Sequence, residues 1–464
     1  MSPDRFDVLL VEDNADSRRA AEADIADMMP DAVVHWAGDT QSALELMAAN
    51  VYDLAVCDLR IPAKPRDLSL SETNGLAVVA KLRESQPGTP VIILSAFGTI
   101  EDTEPYTSGA SPAAAHGVPA LRMCQAVVKG VEGEFTNRLR PIQEGQLKIV
   151  GLEFTAPTDL DLLLRRAISQ FAVDRGMTEV EVTRAGGLSG STNAIVTMRR
   201  LGAPEMRAFV KADAREWVLD ELERRRLWVE GYLDASNWAP TIETLSAGLR
   251  DRAAYFSSLA SNPTTLFDLA AVDDGAGSSV ISKLQLTLVP WNVGDTSSVT
   301  VADLRRAHLS DAELISAGAS VDEFSDVESL TLDMRSRVCH GDLHGENVLV
   351  VDGGRPMMVD FAYTGNGPAG EDPITLEMSL MFHPGSPLVA RGSSFDYERW
   401  ADGDYLPNGE LRETRARCRE WGVREAGREQ FMAVSYAHAI RHLKRGVPAP
   451  VALAVARSAA DALR

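Results

Sequence analysis

Oxygen-bearing side chains recur at short spacing in the stretch VCHGDLHGENVLVVDGGRPMMVDFAYTG, residues 338–365. Asp342 precedes Asn347 by five residues, and Asn347 precedes Asp360 by thirteen. The apolar runs around them predict adjacent strands whose turns present both carboxylates and the amide. Metal ions that bridge nucleotide phosphates need oxygen ligands, and a further group must position the attacking hydroxyl and accept its proton. We therefore predict a phosphoryl-transfer site, with Asp342 as the base and Asn347 and Asp360 as metal ligands.

A second set of polar residues follows apolar runs near the start of the chain. Glu12 and Asp13 follow the first run, Asp58 follows the third, and Ser95 follows the fourth. Crowded carboxylates repel one another, and a hard cation such as Mg²⁺, which prefers oxygen ligands, relieves that repulsion. The set predicts a magnesium site in which Asp58 accepts a phosphoryl group.

The apolar runs themselves predict the elements that position these residues. They cover residues 6–11, 32–36, 54–57 and 90–94, with helix-like periodicity between them. Short, nearly all-apolar strands belong to a parallel sheet covered on both faces, where ligands collect beyond the carboxyl ends of the strands. We predict a doubly wound α/β domain at the N-terminus.

Length and charge limit the classes of protein to consider. A length of 464 residues predicts two to four folding units, and two large ones are enough. The formal net charge is −21. The acidic balance argues against nucleic acid and against an anionic membrane surface, because both attract clustered Lys and Arg. Four scattered cysteines without a C-x-x-C pair predict neither a disulfide framework nor a zinc site. Since no apolar stretch reaches spanning length, we expect a soluble cytoplasmic protein.

The segments VLLVEDN, AVCDLRIP, NGLAVVAKLRE and PVIILSAFG resemble the receiver domain of two-component response regulators, which has a flavodoxin-like fold. The resemblance implies that Asp58 is the phosphorylated residue, that Glu12 and Asp13 hold Mg²⁺ with it, and that Ser95 bonds the phosphoryl oxygens. It also implies a sensor histidine kinase as phosphodonor. It weakens after Gly98, where DTEPYTSGASPAAAHG replaces the expected fourth helix with turn-rich sequence.

The family's fifth strand ends in a lysine that pairs with the phosphoryl group, and two segments compete for this role. CQAVVKG supplies Lys129 without the following proline that is usual, whereas LEFTAPTDLDLLLRRAI places Ala156 before Pro157. We predict Lys129, because only this segment supplies the charge.

The stretch H-G-D-L-H-G-E-N followed by D-F-A is similar to the protein-kinase signature H-R-D-L-x-x-x-N and D-F-G. With Gly341 in place of the arginine, it resembles the aminoglycoside phosphotransferase and choline kinase group, and within it the ternary-complex-associated kinase-like domains of bacteria. The resemblance implies a bilobal α+β kinase-like fold and ATP with Mg²⁺ as cofactors. Control through a phosphorylated activation loop is not expected, because glycine cannot anchor one.

Other parts of the kinase-like pattern lie upstream. RAGGLSGSTNAIVTM offers Gly187 and Gly190 for a close approach of backbone N–H groups to phosphates. In MRAFVKAD, Lys211 matches the strand lysine that pairs nucleotide phosphates. For its acidic partner on the next helix we choose Glu223, with Glu221 and Glu230 as rivals, because one sequence cannot fix the rotation of that helix.

The expected domains follow from these patterns. They are a receiver over residues 1–150 or to about 173, a connector helix and hinge over 151–178, and a kinase-like domain over 179–464. Its small lobe covers about 179–256 and its large lobe about 257–464. Apolar positions in residues 159–173 predict an amphipathic helix, which either closes the receiver or bridges the two domains.

The leading hypothesis is a two-component response regulator whose output is an ATP-dependent phosphotransferase. Phosphorylation of Asp58 then regulates transfer to the hydroxyl of an unidentified acceptor. The alternative is a kinase-like module that binds nucleotide or a partner without turnover. A DNA-binding response regulator is opposed by the acidic charge and by the lack of a helix-turn-helix pattern.

Overall fold

A computed structural model describes residues 5–95, 112–186, 192–259, 263–393, 395–402 and 411–464. The chain divides into two compact units. One comprises Met1–Val218 with Thr241–Ala260, and the other comprises Leu219–Pro240 with Ser261–Arg464.

The first unit begins with a five-stranded parallel sheet in the order β2-β1-β3-β6-β9. Its elements are β1 (Phe6–Val11), α1 (Ala15–Met28), β2 (Ala32–Ala37), α2 (Thr40–Ala49), β3 (Leu54–Asp58), β4 (Ile61–Pro62), β5 (Leu70–Ser71), α3 (Glu72–Ser85), β6 (Val91–Ser95), β7 (Ala113–Ala115), β8 (Val118–Leu121), β9 (Cys124–Val128) and α4 (Glu134–Val150). This order is the doubly wound topology that the sequence predicts.

Alternate residues of the central strands enter two separate cores. Val8 and Leu10 pack on one face of the sheet, whereas Leu9 and Val11 pack on the other. Because side chains alternate along a strand, a run of apolar residues fills both faces only when helices cover both.

The described part of the turn-rich segment after β6 forms a hairpin. Strands β7 and β8 pair antiparallel, and residues 96–111 lie outside the described part of the chain. A second short hairpin, β4–β5, forms within the long loop after β3.

The same unit contains a six-stranded sheet in the order β10-β11-β12-β13-β15-β14. Its elements are β10 (Glu153–Thr155), α5 (Leu162–Asp174), β11 (Glu179–Gly186), β12 (Thr192–Arg199), β13 (Met206–Ala214), α6 (Arg215–Trp228), β14 (Thr241–Leu245) and β15 (Arg252–Ser258). Helix α6 continues into the second unit. Helix α5, the predicted amphipathic helix, buries Leu164, Ile168 and Phe171 against this sheet. Its Phe171 ring stacks on Phe256 of β15, with centroids 3.8 Å apart.

An ion-pair cluster around the buried Asp53 joins the parallel sheet to α5 and to the turn before β15. Asp53, which is 1% exposed, immediately precedes β3. Arg250 donates to both of its carboxylate oxygens, at 3.0 and 2.6 Å, and also to Asp7 at 3.0 Å. Arg166 of α5 donates to Asp53 at 2.5 Å and to the Arg5 carbonyl at 2.6 Å. We call these five residues the Asp53 cluster.

The β7–β8 hairpin extends this contact. The Gln170 side chain of α5 donates to the carbonyls of Ala114 and Ala247, at 2.7 and 3.0 Å, and accepts from His116 N at 3.1 Å. A ring nitrogen of His116 lies 2.9 Å from the Asp53 carbonyl oxygen. Helix α5 therefore contacts both sheets of the first unit.

The second unit is mainly helical. Its elements are β16 (Thr264–Thr265), α7 (Leu266–Val272), α8 (Asp274–Thr287), β17 (Thr296–Thr300), α9 (Val301–Arg306), α10 (Asp311–Ser316), α11 (Ser325–Glu328), β18 (Thr331–Cys339), β19 (Val348–Val351), β20 (Arg355–Met358), β21 (Gly365–Pro368), α12 (Glu371–Phe382), α13 (Pro387–Ala390), α14 (Arg412–Ala426), α15 (Arg428–Arg441) and α16 (Ala449–Asp461), with short 3-10 turns between some of them. Two apolar cores, one centred on α15 and α16 and one beneath β19 and β20, hold its loops in place. No helix among the described residues is long and apolar enough to cross a membrane.

Candidate functional site

Three carboxylates meet at the carboxyl edge of the parallel sheet. Glu12 and Asp13 follow β1, Asp58 ends β3, and one oxygen of each lies within 4.8 Å of the others. Glu12 and Asp58 are buried. The donors are all oxygens, so the cluster fits a magnesium ion.

Lys129 follows β9 and reaches the same cluster. Its Nζ lies 2.5 Å from a Glu12 oxygen and 2.7 Å from Asp58 Oδ2. Burial disfavours the charged ammonium, but the bonds and charges of Asp58 and Glu12 outweigh it and raise the pKa of Lys129. Burial also raises the pKa of Glu12, against the influence of the lysine.

The competing segment lies elsewhere, because β10, which ends one residue before Ala156, pairs with β11 of the six-stranded sheet. Ser95, at the end of β6, is half-buried and its carbonyl accepts from Lys129 N at 2.8 Å. The four carboxyl ends thus gather Glu12, Asp58, Ser95 and Lys129 at one edge.

The kinase-like residues of the second unit lie on two adjacent turns. Asp342 and Asn347 lie between β18 and β19, and Asp360 follows β20. Asn347 Nδ2 donates to the Asp342 carbonyl at 2.9 Å, and the Asn347 carbonyl accepts from Val359 N at 3.1 Å. The side-chain amide of Asn347 thus holds the turn of Asp342, and the backbone of Asn347 joins this turn to the one that carries Asp360.

Buried polar groups fix the shape of this loop. Asp372, at the start of α12, accepts from the backbone N–H groups of His340 and Gly341, at 3.1 and 3.2 Å. The His340 ring lies 3.1 Å from the Val359 carbonyl oxygen. Asp372 is fully buried, and its two hydrogen bonds fix the backbone of the loop at His340 and Gly341.

Asp360 has a left-handed backbone, with φ of 61°. Aspartate tolerates this region better than most residues, and such strain is concentrated at functional sites. The next residue, Phe361, is buried, and its N–H donates to Glu221 of α6 at 2.9 Å.

The Asp342 carboxylate is surrounded by cationic and imidazole groups. Its Oδ1 accepts from Arg445 at 3.1 Å and from Arg441 at 3.4 Å, and His344 lies 3.8 Å from Oδ2. Burial would raise the pKa of Asp342, but the charges of His344, Arg445 and Arg441 hold it well below its usual value. The group is ionised at neutral pH, as a proton acceptor must be.

Glu223, predicted as the acidic partner of the strand lysine, lies on the exposed face of α6. Glu223 is exposed and pairs with Arg226, at 2.6 and 2.8 Å. Its rival Glu221 is 1% exposed, and Glu230 is exposed beyond the end of the helix. The buried stripe of Val218, Glu221, Arg225 and Val229 follows the helical period, which is the signal that favours Glu221.

Lys211 lies on β13 and is 4% exposed. Gly187 and Gly190 lie outside the described residues. Sequence reasoning missed Arg441 and Arg445, because isolated arginines near the end of a helix have no recognisable spacing. It also missed the Asp53 cluster, whose members come from distant parts of the chain.

Comparison with known families agrees with this geometry. Residues 8–111 match the response regulator receiver domain, and residues 293–421 match the phosphotransferase enzyme family. This chain joins a receiver domain to a phosphotransferase-family domain. No curated protein matches the chain significantly.

Several solved receiver structures are similar to the N-terminal part of this fusion protein. TrrA from Thermotoga maritima, in complex with Mg²⁺-BeF, is 17% identical over 28% of this chain and 93% of that chain, with a TM-score of 0.22. The non-phosphorylated HemR receiver domain from Leptospira biflexa is 23% identical over 30% of this chain and 94% of that chain, with a TM-score of 0.23.

Proposed function

We propose that this protein is a response regulator whose output is the transfer of a phosphoryl group from ATP to an acceptor hydroxyl. The observation that carries the proposal is the braced loop that brings Asp342, Asn347 and Asp360 together on two adjacent turns. A carboxylate base beside two oxygen ligands is the set that phosphoryl transfer needs.

The reaction follows from the positions of these groups. Asp342 accepts the proton of the acceptor hydroxyl while that oxygen forms a bond to the γ-phosphorus of ATP. The bond between this phosphorus and the β,γ-bridging oxygen breaks, and ADP leaves with its electron pair. Asn347 and Asp360 would hold Mg²⁺, which when bound neutralises charge on the phosphates.

The receiver supplies the input in this proposal. A sensor histidine kinase donates a phosphoryl group to Asp58, Glu12 and Asp13 hold Mg²⁺ beside it, and Lys129 then pairs with the phosphoryl oxygens. We further propose that the receiver ends near Val150 and that the six-stranded sheet is the sheet of the small lobe, which we call the small sheet. Helix α5 then belongs to the small sheet as well as to the connector.

Two substitutions separate base from metal ligand. Asp342→Asn should keep Mg²⁺-dependent ATP binding and abolish ADP formation, because a base contributes to the transition state more than to nucleotide affinity. Asp360→Ala should remove the Mg²⁺-dependent part of ATP binding, since water replaces a charged ligand poorly. Asp352→Ala, at an exposed aspartate on the turn after β19, is the matched control.

The measurements are ATP titrations with and without Mg²⁺, and ADP release during an acceptor screen. Unchanged Mg²⁺ dependence in Asp360→Ala would place the metal elsewhere. Mg²⁺-dependent ATP binding without ADP release from any acceptor would favour the binding module.

A further inference from the structure

The groups that border the Asp342 carboxylate bear on the acceptor. A general base must come within hydrogen-bond reach of the proton that it removes. The acceptor hydroxyl therefore has to approach Asp342, and the rest of the acceptor has to lie beside the neighbours of that carboxylate. Those neighbours are Arg441, Arg445 and His344.

The two arginines differ in how their charge is balanced. Arg441, 12% exposed, lies 3.7 Å from the buried carboxylate of Glu371 as well as beside Asp342. Arg445 is 39% exposed, and within the described chain Asp342 is the carboxylate with which it pairs. An acceptor hydroxyl that bonds Asp342 leaves this carboxylate anionic, but once Asp342 has taken the hydroxyl proton, Arg445 loses the negative charge with which it pairs. Arg445 can then bond an anionic group of the acceptor.

The remaining acids near Asp342 do not reverse this balance. Glu371 is buried beneath Arg441 and also lies 3.4 Å from His438. Glu346 lies beside the His344 and His383 rings, whose centroids are 4.5 Å apart. Asp360 is assigned to the metal, so its charge is not available to a cationic acceptor.

Resting on the function proposed above, we propose that the acceptor is an anionic hydroxy compound, whose carboxylate or phosphate is bound by Arg445 together with Arg441. Planar guanidinium groups bond such anions in two-point geometry. Choline and aminoglycosides, the cationic alcohols that name the resembling kinases, would instead meet like charges.

Four probes with the same three-carbon skeleton test the proposal. Glycerate is anionic, glycerol is neutral and 3-amino-1,2-propanediol is cationic, while glycerol 3-phosphate distinguishes phosphate from carboxylate. Each is titrated into the full chain by calorimetry, with a saturating non-hydrolysable Mg²⁺·ATP analogue and again without nucleotide. Anion binding is thus measured whether or not the nucleotide binds.

We expect one or both anions to bind and the amine not to bind. Arg445→Ala should weaken anion affinity by about tenfold or more, as expected for a lost charged hydrogen bond. Arg445→Glu should reverse the preference toward the amine. Arg424→Ala, at an exposed arginine of α14, should change nothing.

Failure of the anions to bind, stronger binding of the amine, or equal anion affinity in Arg445→Ala and Arg424→Ala overturns the inference. Absence of analogue binding counts against the proposed ATP chemistry, and the titrations without nucleotide still decide the anion question.

Discussion

Gly341 stands where the protein-kinase pattern has an arginine, and the structure gives a steric reason for the change. Its φ is 78°, and a Cβ at this position would lie 2.5 Å from the Tyr363 carbonyl oxygen. The backbone angle strains any residue other than glycine, and the contact leaves no room for a Cβ. The loop that presents Asp342 is therefore built for glycine here.

Gly341→Ala should consequently distort the loop and abolish ADP release. Its cost in stability should be about 1–3 kcal/mol, the usual cost of strain at a special backbone position. Gly353→Ala is the matched control, because Gly353 has a φ of 71° and no heavy atom of the described chain lies within 4 Å of the position that a Cβ would take. The Gly353→Ala variant has the same backbone strain from a positive φ but no steric clash of the added Cβ. Equal loss of activity in the two variants, measured beside urea unfolding, would contradict the steric explanation.

At this scale the sequence predicts what lies in a local motif and misses what depends on rotation or distance. Asp342, Asn347 and Asp360 follow strands that the apolar runs predict. Lys129 likewise follows β9, the fifth strand of the parallel sheet. Glu223 was chosen over Glu221 because one sequence did not fix the rotation of α6, although the helical spacing of Val218, Glu221 and Val229 marks the face that is buried. Arg445 reaches Asp342 across 103 residues, and no local pattern encodes that contact.

At the scale of elements, the Asp53 cluster is the main polar connection between the receiver and the small sheet. Burial would raise the pKa of Asp53, but hydrogen bonds and charges from Arg250 and Arg166 outweigh it and hold the pKa below its usual value. A carboxyl with a depressed folded-state pKa stabilises the fold above its unfolded pKa, near 4. That contribution is lost as the pH falls through the folded-state value.

Asp53→Asn should therefore destabilise the protein by about 1–3 kcal/mol at neutral pH, the usual worth of charged hydrogen bonds. The difference from wild type should shrink below about pH 4. Urea unfolding across pH measures both, and Asp31→Asn, at an exposed aspartate before β2, is the control. A difference that is constant with pH would show that Asp53 contributes through packing rather than charge.

Helix α5 gives a second prediction at this scale. A chain beginning at Arg175 lacks α5, so the faces of β12 and β13 that it covers become exposed. Each buried side chain such as Ile168 or Phe171 contributes about 1.5–3 kcal/mol. That chain should aggregate, whereas one beginning at Leu152, which keeps β10 and α5, should remain soluble. Gel filtration and tryptophan fluorescence distinguish them, and equal solubility would mean that α5 is dispensable.

The elements themselves were largely predictable, and their partners were not. The runs at 6–11, 54–57 and 90–94 fall on β1, β3 and β6, because strands buried on both faces must be apolar throughout. The run at 32–36 falls on β2, an edge strand that is partly exposed. The amphipathic pattern of 159–173 predicted a helix, observed as Leu162–Asp174. Which sheet it covers depends on surfaces made by distant residues, and periodicity carries no such information.

At the scale of the whole molecule, one strand connects the proposed input to the small sheet. β3 ends at Asp58, and Asp53 immediately precedes its first residue. These carboxylates thus lie at opposite ends of one central strand, about 16 Å apart at the usual rise per residue. Because β3 is buried on both faces, a shift at Asp58 and Lys129 has a rigid element through which to reach Arg250 and Arg166.

If the receiver controls transfer, a phosphoryl mimic at Asp58 must favour one arrangement of the small sheet over another. Beryllium fluoride with Mg²⁺ should therefore change ATP affinity or ADP release by about 5- to 150-fold, the range of a typical allosteric coupling. Asp58→Asn should not respond, because it cannot bind the mimic. Arg250→Gln should still bind the mimic but respond less, because the connection through the Asp53 cluster is weakened.

Mimic binding is checked by ¹⁹F NMR, so that lost coupling is separated from lost binding. Identical responses in wild type, Asp58→Asn and Arg250→Gln would mean that the receiver is only a tether. A full response in Arg250→Gln alone would place the coupling outside the Asp53 cluster.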